Sequence, residues 1–91
     1  SNYTSVPIEE IDKKTLNFFE KNPPDVIFIY SSMSAKNLFK LINKYSLLNV
    51  VTRSHLMCIS EKVLLLLKDI KWKKVFIFSP GEEEFWLEKI N

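Results

Sequence analysis

Glycine is nearly absent from this 91-residue chain, which contains only Gly81. Dinucleotide-binding fingerprints and P-loops each require several glycines, because the backbone must approach phosphate closely. The sequence therefore excludes both kinds of nucleotide-binding loop.

Soft metal ligands are equally scarce, since His55 and Cys58 are the only histidine and the only cysteine. One cysteine cannot form an internal disulfide, so Cys58 is expected to be a reduced core residue of a cytoplasmic protein. His55 is expected at the surface or at a strand edge. A zinc-type site needs further ligands that the chain does not supply, so we expect no metal and no cofactor.

Neither strong charge nor a long apolar run is present. Thirteen basic and eleven acidic residues leave a net charge of +2, which gives no compositional case for nucleic-acid binding. Apolar runs such as Val63–Leu67 are far shorter than the ~20 residues that cross a bilayer. The length and the 46% apolar content are typical of one globular domain, which we place at residues 1–91.

Three apolar runs are each followed by a small polar residue and a helix-like stretch. They are Val26–Tyr30, Leu56–Ile59 and Val75–Phe78. Runs that are apolar without alternation are typical of strands buried on both faces. Strands that alternate with helices favour a parallel sheet, here in sequential order with helices on both faces. The sequence thus predicts an α/β fold, a three-layer flavodoxin-like parallel sheet.

Helix boundaries follow from capping residues and apolar spacing. We predict a first helix over Ile8–Asn22, ended by two prolines, and a second helix from Ser34 as N-cap to about Lys44. A third is predicted over Glu61–Ile70 with Ser60 as its cap, and a last one with Pro80 near its first position.

The connecting segments give three further predictions. Asn49–Ser54 is predicted to be a polar connector, and Trp72 to fold back on the core. Glu82–Glu84 suits the positive end of a helix dipole, so we interpret it as a helix-start device rather than as paired catalytic carboxylates.

Serines cluster where the three strands are predicted to end. Open parallel sheets bind ligands outside the carboxyl ends of their strands, where helix N-termini offer free backbone N–H groups to anions. We therefore look for function at this edge. The serines expected there are Ser31, Ser32, Ser34, Ser60 and Ser79.

The segment at residues 25–35, DVIFIYSSMSA, resembles the strand–Thr–Ser–x–Ser–Ala–helix segment of uroporphyrinogen-III synthases. Downstream, MCISEKVLLLL, IKWKKVFIF and SPGEEEFWLEKI are similar to that family's next strand and helix, its last strand and its closing helix. The resemblance covers the whole chain but only the C-terminal part of a family member. It implies the later portion of a discontinuous domain in a two-domain enzyme.

The resemblance implies a lyase of haem (porphyrin) biosynthesis that closes the linear tetrapyrrole hydroxymethylbilane with inversion of its last ring. The substrate carries eight carboxylates, so the site needs many N–H and hydroxyl donors. The partner implied is this small molecule, with no nucleic acid and no membrane.

Site residues carry over from the family one at a time. Ser31 and Ser32 match the Thr-Ser pair, and Ser34 matches the following serine. Ser60 falls where many members have glycine, and Lys62 or Val63 falls where they often have a threonine that faces the substrate.

Tyr3 matches a tyrosine at the end of the family's linker strand, which makes it the candidate proton donor. An aromatic plug at a frayed terminus is the alternative for this residue. Gly81 and Glu82 depart from the family, which has Pro-Thr there.

A different class of function stays open: a flavodoxin-like module that only binds a partner or oligomerises, because fold alone does not separate the two. The Val26–Tyr30 strand would otherwise leave an apolar edge that invites pairing. We expect that edge to be covered by the N-terminal residues, by strands outside this chain, or by a second chain through self-association.

Overall fold

The computed structural model describes residues 12–90 and the backbone of a short strand at residues 3–5. Strands and helices alternate along the chain, as the sequence predicted. The elements are β1 (Tyr3–Ser5), α1 (Lys13–Lys21), β2 (Val26–Ile29), α2 (Ser32–Lys44), α3 (Leu48–Val51), β3 (His55–Cys58), α4 (Glu61–Leu65), β4 (Lys74–Ile77) and α5 (Glu83–Ile90).

The described strands form one parallel sheet in the order β1-β2-β3-β4. The predicted parallel, sequential pairing of the three apolar runs is therefore confirmed. β1 adds a fourth strand by pairing Tyr3 with Val26. The N-terminal residues thus cover the apolar edge of β2, as expected.

Helices cover both faces of the sheet, and each face has its own core. On one face, side chains of β2 and β3 pack with α1, α2, α3 and α4, and this cluster includes Ile27, Ile29, Leu56 and Cys58. On the other face, Val26, Phe28 and Met57 pack with Trp86 and other residues of α5. Right-handed crossovers between strands in sequential order all fall on one face, which leaves α5 to cover the other.

The first helix is shorter than predicted within the described residues. Asp12 is its N-cap and accepts a hydrogen bond from Thr15 N at 2.7 Å. The helix ends at Lys21, before the two prolines, close to the predicted end at Asn22. The start predicted at Ile8 lies outside the described residues.

Two connecting segments differ from the prediction. The predicted polar connector contains a short helix, α3, in which Val50 and Val51 are buried. α4 ends at Leu65 instead of continuing to Ile70, because the chain turns there. Trp72 folds back on the core as predicted, and its indole N–H donates to Leu67 O at 3.0 Å.

His55 was predicted at the surface or at a strand edge, and this prediction is wrong. It is the first residue of β3 and is only 7% exposed, because β2 and β4 flank it on both sides. Its ring lies 5.9 Å from that of Phe76. Cys58, at the other end of the same strand, is a free, buried thiol as predicted.

Candidate serine edge

Three serines occupy equivalent positions at the carboxyl ends of neighbouring strands. Ile29, Cys58 and Ile77 lie side by side in the register of the sheet, and Ser31, Ser60 and Ser79 each follow two residues later. Adjacent strands are about 4.8 Å apart, so these residues lie along one edge. We call Ser31, Ser60 and Ser79 the serine row.

At the first position of the row, Ser31 is the N-cap of α2. Its hydroxyl oxygen accepts a hydrogen bond from Ser34 N at 3.1 Å, and Ser31 Oγ lies 3.1 Å from Ser34 Oγ. The predicted cap at Ser34 is therefore wrong by three residues, because the helix begins immediately after the strand. Ser32 is the first helical residue and is half-buried.

At the second position, Ser60 is the N-cap of α4, as predicted. Its hydroxyl oxygen accepts from Val63 N at 3.3 Å, and its extended backbone (φ −160°) matches that of Ser31 (φ −154°). Lys62 is exposed within this helix. The carboxyl ends of β2 and β3 are therefore alike, since each leads into a helix whose N-cap is a serine. At β3 a lysine lies near the cap.

The third position is built differently. Pro80 does not begin the last helix, as was predicted, because Gly81 turns the chain with φ 97° and α5 starts at Glu83. The carboxylate of Glu82 accepts a hydrogen bond from Ser79 N at 2.9 Å. Glu83 accepts one from Gly81 N at 2.7 Å. Glu83 and Glu84 lie in the first turn of α5, as predicted, and the two bonds hold the turn that precedes it.

Tyr30 also lies at this edge, and the only role predicted for it from the sequence was that of a strand residue. Its hydroxyl donates to Glu83 Oε2 at 2.7 Å, and its ring packs edge-on against Phe78. The hydrogen bond from the Tyr30 hydroxyl is the main cause that lowers the pKa of Glu83. Hydrogen bonds from the backbone N–H groups of Glu83 and Gly81 lower it further. The one sequence feature that could have indicated this contact is the position of Tyr30, a residue with a polar hydroxyl, at the end of an apolar run.

Basic and acidic groups are both present along this edge. The ends of β2 and β3 present serine caps, the N-terminus of α2 and Lys62, with Glu61 in the first turn of α4. Glu82 and an ionised Glu83 follow β4, and Glu83 reaches Tyr30 at the end of β2. A carboxylate ligand would be attracted to the helix N-terminus and Lys62 and repelled by the glutamates. We call the group formed by Ser31, Ser60 and Lys62 the β2–β3 end.

Tyr3, the candidate proton donor, lies at the opposite end of the sheet. Its backbone pairs with Val26, the first residue of β2. Three residues at about 3.3 Å each, roughly 10 Å, separate Val26 from Ile29, and the serine row begins beyond that. The structure therefore brings Ser31, Ser32, Ser34, Ser60 and Lys62 to one edge and does not bring Tyr3 there.

Within the described part of the chain, surface hollows lie away from the serine row. One, of about 440 Å³, is lined by α1 and Asn22, including Phe18 and Lys21. The other, of about 300 Å³, lies between α2 and the turn after α4 and is lined by Lys36, Phe39, Lys40 and Leu66. Neither hollow includes a serine of the row.

The described residues hold no group of three or more histidine, cysteine or acidic side chains that could bind a metal ion. Cys58 is not a candidate nucleophile, because burial raises the pKa of its thiol to about 12. Within residues 12–90 and the short N-terminal strand, no helix is both long and apolar enough to cross a membrane.

Comparison with known proteins gives no family assignment. No protein-family model, no curated protein and no solved structure matches the chain.

Proposed function

We propose that this chain is part of a uroporphyrinogen-III synthase and forms one wall of the cleft that binds hydroxymethylbilane. The observation that carries the proposal is the serine row, in which Ser31 and Ser60 cap two helices at the same level of adjacent parallel strands. The motif at residues 25–35 that resembles the family provides the first of these caps.

The β2–β3 end suits a ligand with many carboxylates. The N-terminus of α2, and to a smaller extent that of the five-residue α4, supplies backbone N–H groups and the positive end of a helix dipole. An N–H donor to a carboxylate makes a strong hydrogen bond. α2 is 13 residues long, so its dipole is well developed. Exposed Lys62 adds a positive charge beside the negative charge of Glu61, and Ser32 and Ser34 add hydroxyls, of which that of Ser34 is bonded to Ser31.

In this proposal the chain positions the substrate, and the enzyme is a lyase that needs little acid–base chemistry from this wall. Holding the linear tetrapyrrole folded converts ring closure into a favourable intramolecular step. Glu82 and Glu83 would repel ligand carboxylates from the side of the edge where α5 begins.

The alternative is a non-catalytic α/β module that binds a partner or oligomerises. The observation in its favour is that β4 is an open, partly apolar edge among the described residues. A negative charge added at the β2–β3 end distinguishes the two functions. It should lower activity if the chain belongs to the enzyme, because only that proposal has a ligand at this end.

The proposal is tested with Ser31→Asp and Ser60→Asp in a protein that contains this chain together with the second wall. Aspartate caps a helix about as well as serine, so the unfolding midpoint should change little. The added negative charge should lower hydroxymethylbilane turnover to the type III isomer at least about tenfold, because it opposes a carboxylate. Alanine variants cannot separate the two roles, since loss of a cap costs about 1 kcal/mol.

Asn49→Asp is the matched control. It adds the same charge at an exposed residue of α3, which precedes β3 and so lies at the amino end of the sheet. We expect unchanged turnover in this variant. Full activity in both serine variants, with normal folding, would remove the anion-binding role and leave only helix capping.

A further inference from the structure

β4 is an open sheet edge with two exposed apolar side chains. Among the described residues it pairs only with β3. Val75 and Ile77 are 40% and 41% exposed, whereas every residue of β2 and β3 is buried. Because alternate residues of a strand share a face, both project from the same side of the sheet.

The reason for this exposure is the shortness of α4. That helix has five residues and contacts α2 and β3. The opposite face of β4 is covered, since Phe76 packs against Trp86 of α5 at a ring distance of 5.3 Å. Among the described residues, β4 therefore has no strand on its outer side and little cover over the face of Val75 and Ile77.

Charge is divided between the two ends of the strand. Lys71, Lys73 and Lys74 stand at its start and are exposed. Glu82, Glu83 and Glu84 follow the turn after its end, and Glu84 is exposed, whereas Glu82 accepts from Ser79 N and Glu83 from Tyr30. A second copy placed antiparallel would bring the basic end of each chain to the acidic end of the other, whereas a parallel copy would oppose like charges.

We propose that β4 pairs antiparallel with β4 of a second copy of this chain, about a twofold axis at Phe76. Residues directly opposite in an antiparallel pair lie on the same face. This axis places Val75 opposite the partner's Ile77, and Ile77 opposite the partner's Val75. The unpaired backbone groups of the edge are satisfied, and the sheet continues from one copy into the next.

The lysines make this register selective. Edge lysines normally oppose edge-to-edge pairing. In this chain the lysines stand at one end of β4 only. They would repel each other in a parallel or strongly shifted pairing, whereas the twofold antiparallel pairing keeps them apart. An isologous contact of this kind also closes on itself and forms a dimer rather than a fibre.

Sedimentation equilibrium of the 91-residue chain tests the proposal. We expect a concentration-dependent dimer whose dissociation constant rises with salt, because the end charges are exposed. Val75→Lys should weaken association at least tenfold. Leu65→Lys, which adds the same charge at a 60% exposed apolar residue of α4, is the control and should leave association unchanged.

A charge exchange tests the register. Lys73→Glu/Lys74→Glu makes both ends acidic, and Glu83→Lys/Glu84→Lys makes the acidic end basic. Each double variant alone should be monomeric, and an equal mixture should form a dimer with one copy of each. Circular dichroism confirms that each variant is folded.

Three results would overturn the proposal. They are a wild-type monomer at several hundred micromolar, a Val75→Lys variant that still dimerises, and charge variants that fail to pair when mixed. A chain that binds a different protein through β4 would show the first result.

Discussion

β3 and β4 are neighbours with similarly apolar sequences, yet only β3 is buried along its whole length. β3 has a strand on each side and helices over both faces. β4 has one neighbouring strand and one covered face. An apolar run therefore marks a strand, and the number of elements packed around the strand decides how much it contributes to stability.

The largest expected effect comes from a matched pair of isoleucines. Ile29 of β2 and Ile77 of β4 lie at the same level of the sheet, and Ile29 is fully buried. Ile29→Ala should lower the free energy of unfolding by about 2–5 kcal/mol, because it removes buried methylenes and leaves a cavity.

Ile77→Ala should cost less than about 1 kcal/mol in the monomer, since Ile77 retains contact with water. Urea unfolding at low protein concentration measures both values. Equal losses in the two variants would mean that β4 is as well covered as β2.

A thiol comparison examines the same level of β3 and β4. Cys58 is buried, and burial raises its pKa to about 12. Because the thiolate is the reactive species, Cys58 should react with a disulfide reagent at pH 8 only after local opening.

An added cysteine, Ile77→Cys, should react at least about a hundredfold faster than Cys58, since that position is exposed. The wild-type chain supplies the Cys58 rate directly. Similar rates at the two positions would contradict the difference in burial.

The smallest expected effect concerns pH at the start of β3. Burial of His55, and then the positive charges of Lys73 and Lys74, lower its pKa, with Asp25 acting in the opposite direction. The folded state therefore disfavours protonation. Neutral His55 therefore makes its full contribution to stability above the pKa of histidine in the unfolded chain. That contribution is lost as pH falls through the lower pKa of the folded chain.

Urea unfolding at pH 7.5 and pH 5.0 measures this effect against His55→Gln, which cannot be protonated. The wild type should lose more stability on acidification than the variant does. Identical losses would show that His55 is as readily protonated in the folded chain as in the unfolded one.

The serine caps show what the sequence could and could not predict at the candidate site. Ser60 is the single serine between β3 and α4, so its cap position was predicted correctly. Around α2 there are three serines, and the cap was placed at Ser34 when Ser31 holds it. Local sequence supplies the capping residue type, but the exact cap depends on where the strand ends against its neighbours.

Long-range contacts account for the remaining differences. Tyr30 meets Glu83 across 53 residues of chain, which no local pattern indicates. His55 is buried because strands flank it, although its polar ring favours the surface. The prediction for Pro80 failed because glutamate side chains satisfy the N–H groups of the turn and move the helix start to Glu83.

Local apolar patterns and composition were enough to predict the order of strands and helices, the parallel sheet and the buried thiol. Three features came only from the folded chain: Tyr3 lies away from the serine row, glutamates occupy one end of that row, and β4 is an open edge among the described residues. These features depend on register and on which faces the helices cover, and both are set by contacts between residues distant in the chain.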